Sequence, residues 1–302
     1  MLNALIPVFA LILIGVVLRR IEFPGAGFWR SAERITYYLL FPSLLFLKLS
    51  TINLSSEIEL LQLVLLLLIL LLIISLLLLL VRYVFSIDAA VFTSLFQGGI
   101  RFNTYVGLAV IDGLLGDSGI AVAAVVVGIL IPVVNLLCIS VFAFADSDTK
   151  INARSITGNI LTNPLILACL LGMLWNKFGL VLPELFISVL SLISAAALPL
   201  GLLSVGAGVY MRALGNSIKP FVLSSFIKLF LSPLLAYMLC VIFDLKSAVT
   251  MVVVVMASLP TASSAYILSR ELGGDSEVMA ALIAGQTLAA IVCMPLVLNF
   301  LI

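Results

Sequence analysis

The chain has 302 residues, of which 64% are hydrophobic and 10% charged, with a net charge of +1 and a mean hydropathy of +1.37. A soluble domain of this length could not bury so much apolar surface, so lipid must be its solvent. Without a basic tract there is no nucleic-acid reading, and without a single histidine the usual zinc ligand and near-neutral proton shuttle are missing.

Ten spans of membrane length can be drawn in order. They run Asn3–Leu18, Ile35–Leu49, Leu60–Val81, Ala89–Ile111, Ile120–Phe144, Ile160–Trp175, Leu185–Met211, Phe221–Phe243, Ala248–Leu268 and Val278–Leu301. The first is apolar with no basic stretch or small-residue cleavage site before it, so it reads as a span and not as a signal peptide. The third is nearly pure Leu and Ile and reads as lipid-facing filler. The four cysteines, Cys138, Cys169, Cys240 and Cys293, lie in apolar runs without metal-ligand spacing and read as packing residues.

The two halves resemble each other. Pro7, Gly15, Arg20 and Pro42 have counterparts 157 positions on in Pro164, Gly172, Lys177 and Pro199, and Gly116-Asp117-Ser118 returns 158 positions on as Gly274-Asp275-Ser276. Five spans per half is an odd number, so the second half enters the bilayer from the opposite side, as in many secondary transporters. The expected fold is an all-α polytopic membrane protein with ten transmembrane helices in a 5+5 inverted repeat. Residues 1–145 form the first repeat, 146–159 a cytoplasmic connecting loop, and 160–302 the second repeat. Ten Lys and Arg fall in the odd-to-even connections and three in the others. That bias puts the first set in the cytoplasm and both termini outside, extracellular or periplasmic, in a cell (inner) membrane protein.

Spans 4 and 9 are the ones expected to break. Gln97-Gly98-Gly99-Ile100-Arg101-Phe102-Asn103-Thr104 interrupts one at mid-depth, and Ala257-Ser258-Leu259-Pro260-Thr261-Ala262-Ser263-Ser264 the other. Glycine weakens a helix and proline removes a backbone donor. Broken backbone at membrane depth is tolerated where it is buried in protein or lines a wet cavity, and half-helix N-termini converging there favour an anion. The same glycines and serines also suit tight helix packing. Arg101 sits at mid-membrane with no acidic residue expected inside any span, which suits a carboxylate-bearing substrate; it could equally cap the broken helix. Asn103, Thr104, Pro260, Thr261, Ser263 and Ser264 complete the expected substrate site. Gln97, Asn103, Thr104, Thr261 and Gln286 carry oxygens that could hold sodium, or could simply satisfy freed backbone groups. Lys228 either snorkels or faces the cavity. Pro42 and Pro199 are expected to kink spans 2 and 7.

The runs YYLLFPSLLF, RFNTYVGLA, LPLGLLSVGAG and PTASSAYILSRELGGD together resemble the auxin efflux carrier family in its prokaryotic branch, over essentially the full length. The resemblance implies a fold similar to the sodium/bile-acid symporters, with spans 1, 2, 6 and 7 as scaffold and spans 3–5 and 8–10 as a moving transport domain. It implies that spans 4 and 9 cross at the site, marked by Asn103 and Pro260. It also implies a small organic anion, auxin-like or malonate- or malate-like, carried by elevator-type alternating access. Where many members have a Pro after the fourth-span Gly, this chain reads Gly107-Leu108-Ala109, and the long loop of plant carriers is absent. The alternative of the same architecture is a sodium- or proton-coupled cation antiporter, which a missing mid-span Asp disfavours. A channel could use the same polar crossing. An enzyme would need a nucleophile–base pair or a metal set, so no catalytic residue, metal or cofactor is expected beyond a coupling sodium ion or proton. The fold is compatible with a homodimer, though no sequence feature specifies one.

Overall fold

The structure is a computed structural model that describes residues 2–25, 27–51, 60–145, 162–209 and 218–302. Every regular element among the described residues is helical. In chain order they are α1 (Leu2–Arg20), α2 (Phe28–Ile35), α3 (Phe41–Thr51), α4 (Leu60–Phe85), α5 (Ala89–Ile100), α6 (Thr104–Ala145), α7 (Pro164–Lys177) and α8 (Glu184–Ala195). There follow α9 (Ala197–Ala207), α10 (Ile218–Phe226), α11 (Ser232–Ile242), α12 (Ser247–Ala257), α13 (Ser264–Glu271) and α14 (Ser276–Leu301). One π-helical turn, Thr36–Leu40, joins α2 to α3, and another, Ile227–Leu231, joins α10 to α11.

Six described stretches are long and apolar enough to cross a bilayer: Asn3–Arg20, Leu60–Phe85, Ala89–Phe144, Glu184–Ala207, Pro220–Ile242 and Ser276–Leu301. Pro164–Lys177 and Ser247–Ala257 are shorter apolar helices. The protein is therefore an integral membrane protein by length and composition. The connecting loop at 146–159 and the end of the seventh expected span, Tyr210 and Met211, lie outside the described residues.

Proline decides where several helices change. A proline at position i cannot donate to the carbonyl at i−4, and its ring pushes that carbonyl away. Pro42 and Pro233 each follow a π-turn, and Pro199 follows the α8–α9 break at Ala196. The kinks expected in spans 2 and 7 are thus present, each set one turn before the proline. The second expected span is longer than drawn: helix begins at Phe28, not Ile35, and continues through the π-turn to Thr51. The end of the fourth and the whole of the fifth lie in α6, which is two helical runs separated at Gly116, where φ is +61° and ψ −148° and the backbone leaves the helix.

Two helix pairs pack with almost no side chain between them. In α1, a Cβ added to Gly15 would stand 2.2 Å from the Leu203 carbonyl oxygen of α9, with the Gly206 Cα 3.1 Å away. In α7, a Cβ on Gly172 would stand 3.0 Å from the Phe46 carbonyl oxygen of α3 and 2.9 Å from the Leu49 Cβ. Small residues let backbones approach in lipid, where dispersion replaces the hydrophobic drive.

Candidate functional site

The two expected breaks are present and meet. Between α5 and α6, residues Arg101–Asn103 leave the helix; between α12 and α13, residues 258–263 do. The Asn103 N–H donates to the Pro260 carbonyl at 2.8 Å, so a donor freed by one break meets an acceptor freed by the other. Gly98 and Gly99 are not the unwound residues. Both lie inside α5, where a Cβ on Gly98 would meet Leu282 and Ser224 at 2.8 Å and one on Gly99 would meet Leu78 at 2.8 Å. Their role here is close packing.

Behind the junction is a dry polar network. Gln286 of α14 accepts from the Thr261 N–H through Oε1 at 3.0 Å and donates from Nε2 to the Gly98 carbonyl at 3.1 Å. Gln97 Nε2 donates to Ser269 Oγ at 2.8 Å, and Ser94 Oγ donates to the Asp275 carbonyl at 2.8 Å. Gln97, Thr261 and Gln286 are fully buried, and Pro260 is buried beside them. These four residues stand behind the cavity lining and not on it. Gln286→Leu keeps the volume but strands a buried N–H and a buried C=O, each worth about 1–3 kcal/mol. A fall in melting temperature of several degrees in detergent is expected; an unchanged value would mean that these groups find water instead.

In front of the junction is a cavity of about 420 Å³. Of the expected site, Arg101, Asn103, Thr104, Ser263 and Ser264 line it. Asn103 caps α6: its Oδ1 accepts from the Tyr105 N–H at 3.1 Å and the Val106 N–H at 3.3 Å. The first residue of α6, Thr104, and that of α13, Ser264, both face the cavity, so two helix N-termini with their partial positive charge meet there. A third is added by α7, capped by Asn163, whose side chain accepts from Leu165 N and Ile166 N.

The Arg101 guanidinium settles its own placement. Nη2 donates to Asn135 Oδ1 at 2.9 Å and Nη1 to Gln97 Oε1 at 3.2 Å. Its side chain does not cap the carbonyls of the broken helix; both partners are neutral amides. An ion pair joins Lys48 to Asp117 at the far end of α3, and among the described residues no carboxylate pairs with Arg101.

Sequence reasoning missed several lining residues. Asn135 is a lone amide in the apolar second half of α6, a signal that was available. Glu33, Tyr37 and Asn163 come from elements far apart in the chain. Glu33 was expected outside the spans, in a loop or at a helix end; it lies within helix α2, lines the cavity and accepts from Ser263 Oγ at 3.2 Å. Exposed Arg30 and Arg34, on the same helix, bring the cavity to the surface.

The membrane transport protein family model matches residues 1–298. The chain belongs to this family, the auxin efflux carrier family. Among curated proteins it is similar to an uncharacterized transporter of Methanothermobacter thermautotrophicus, 24% identical over 296 residues that cover 97% of this chain and 96% of the relative. As a family member it is a membrane transporter, and the resemblance drawn from its four sequence runs holds over the whole chain.

Proposed function

We propose that this family member carries a small organic carboxylate through the 420 Å³ cavity by elevator-type alternating access. The observation that carries the reading is the charge of that cavity. Three guanidiniums, from Arg30, Arg34 and Arg101, face it against one carboxylate, Glu33, and the deepest of the three, Arg101, is held by the Gln97 and Asn135 amides with no carboxylate partner among the described residues. A part-buried cation with no fixed counter-ion is stabilised when a carboxylate arrives, and the N-termini of α6, α7 and α13 act in the same direction. Arg101, Asn103, Thr104, Ser263 and Ser264 are the substrate-contacting residues in this reading, with Asn135 and Asn163 beside them. Pro260 and Thr261 shape the break, while Gln97 and Gln286 lock it.

The ten-span, 5+5 inverted-repeat arrangement belongs to the same proposal. Ala89–Phe144 has 56 residues, enough for two crossings joined at Gly116. The glycine contacts add support. Gly15 meets Leu203 and Gly206, while Gly172 meets Phe46 and Leu49. Shifting each residue of one contact by 157 positions yields the other, in reciprocal order, which is what a two-fold relation between halves requires. In this arrangement spans 1, 2, 6 and 7 pair as the scaffold, the rest move, and spans 4 and 9 cross at the site. The positive-inside bias places the Arg30 and Arg34 mouth in the cytoplasm and both termini outside the cell membrane.

Thermal stability of the detergent-purified protein against a panel of mono- and dicarboxylates, each with and without sodium, tests the reading. A ligand at a hundred times its Kd stabilises the folded state by about 2.7 kcal/mol. A rise in melting temperature with one carboxylate is expected. If that rise needs sodium, the protein is a symporter; if it does not, proton coupling or uniport follows. No rise with any carboxylate, but one with a cation alone, moves the assignment to a cation antiporter.

A further inference from the structure

A second, much smaller cavity of about 20 Å³ lies on the other side of the junction. It is large enough for one water molecule. Lys228 lines it, on the π-turn between α10 and α11, and is only 3% exposed. π-Turns inside helices recur at functional positions. No hydrogen bond or ion pair of the Lys228 ammonium is present among the described residues, and no Asp or Glu lines the cavity.

What the cavity does contain is the ends of two helices. Gly99 and Ile100 are the last residues of α5, and Met256 and Ala257 the last of α12. The carbonyls just before them are used. Gln97 O accepts from Arg101 N, Gly98 O from Gln286, and the Val254 and Val255 oxygens from Ser258 N. The carbonyls of Gly99, Ile100, Met256 and Ala257 meet no protein donor among the described residues. The final carbonyls of a helix carry the negative end of its dipole, equivalent to roughly half a charge for each helix. Two such ends lining one small pocket favour a univalent cation.

We propose that the Lys228 ammonium is a tethered cation serving this position, so that the junction needs no metal ion there. Positive charge there offsets the partial negative C-termini of α5 and α12, on the side away from the partial positive N-termini of α6 and α13. Carbonyl oxygens around a pocket the size of one water molecule are the chemistry of a sodium site, and the lysine supplies its charge without an ion to be bound and released. This inference does not rest on the substrate being a carboxylate.

The test is thermal stability without any carboxylate, in sodium chloride, methylammonium chloride or choline chloride at equal concentration. The wild-type protein is expected to melt at one temperature in all three. Lys228→Ala is expected to melt several degrees lower in choline and to regain at least half of that loss in sodium or methylammonium, which fit the vacated space where choline does not. Stabilisation of the wild type by sodium would overturn the proposal, as would a Lys228→Ala protein that no small cation restores. Lys228→Met replaces the stem without the charge, and a Met variant as stable as wild type would also overturn it. Should the Ala variant give no folded protein, Lys228→Arg decides: folding with Arg but not with Met supports a charge requirement, and the reverse refutes it.

Discussion

Arg101→Gln loses the carboxylate-induced rise in melting temperature and carboxylate transport while still yielding folded protein. A hydrogen bond to a charged group is worth about 1.5–3 kcal/mol, so affinity falls on the order of 10–100-fold. Folding survives because the two groups that Arg101 leaves are amides. Gln97 still has Ser269, and Asn135 is part-exposed in the cavity, where water replaces the guanidinium. Removing a charge from membrane depth also relieves a cost of several kcal/mol on most scales. Arg101→Lys separates charge from shape: it keeps the charge but cannot hold Asn135, Gln97 and a substrate through one planar fork, so an intermediate loss is expected. Unchanged carboxylate binding in Arg101→Gln, read by the same thermal shift, would remove Arg101 from the site.

Gly206→Ala produces a large expected loss of stability through backbone overpacking. The new methyl carbon would lie 1.9 Å from the Ile12 carbonyl oxygen and 3.0 Å from the Gly15 Cα. Both neighbours are backbone, so no side chain can turn aside and α1 must move away from α9. Overpacking commonly costs about 1–3 kcal/mol, and the upper end applies where backbone shifts. A fall in melting temperature of roughly 4–8 °C is expected. Gly128→Ala is the control: its methyl would stand 3.4 Å from Cys169 Cβ, an ordinary contact, and should be neutral. Combining Gly15→Ala with Gly206→Ala should cost less than the sum, because the helices separate only once. Equal stability of Gly206→Ala and wild type would show that the two backbones do not approach this closely.

The breaks at 101–103 and 258–263 were readable in place from polar runs inside apolar spans, although the Gly98-Gly99 pair that marked the first stays helical and the chain unwinds only after it. Their depth followed from the lengths of the apolar runs on either side. What the sequence could not separate was the front of the junction from the back. Thr261 and Ser263 are two residues apart and chemically alike. Yet Thr261 is sealed against Gln97 and Gln286, while Ser263 faces the cavity and Glu33. The difference is set by residues from 25 to 230 positions away, which no local pattern encodes. Asn135 shows the reverse case: it stood out as a polar residue in an apolar run, but its meaning needed Arg101 to be placed opposite. Glu33 was hidden because helix α2 begins earlier than hydropathy suggests, its charged residues masking a continuous rod.

The Lys48–Asp117 ion pair joins the last turn of α3 to the turn of α6 at Gly116, on the face opposite the Arg30 and Arg34 mouth. Asp117 is 81% exposed, and pairs so wetted are worth at most about 1 kcal/mol. Thermal agitation alone opens such a clasp many times within the lifetime of any slower rearrangement. The end of α3 is therefore held in place by the apolar packing of Phe41, Leu44, Leu45 and Leu49, and the ion pair follows that packing instead of enforcing it.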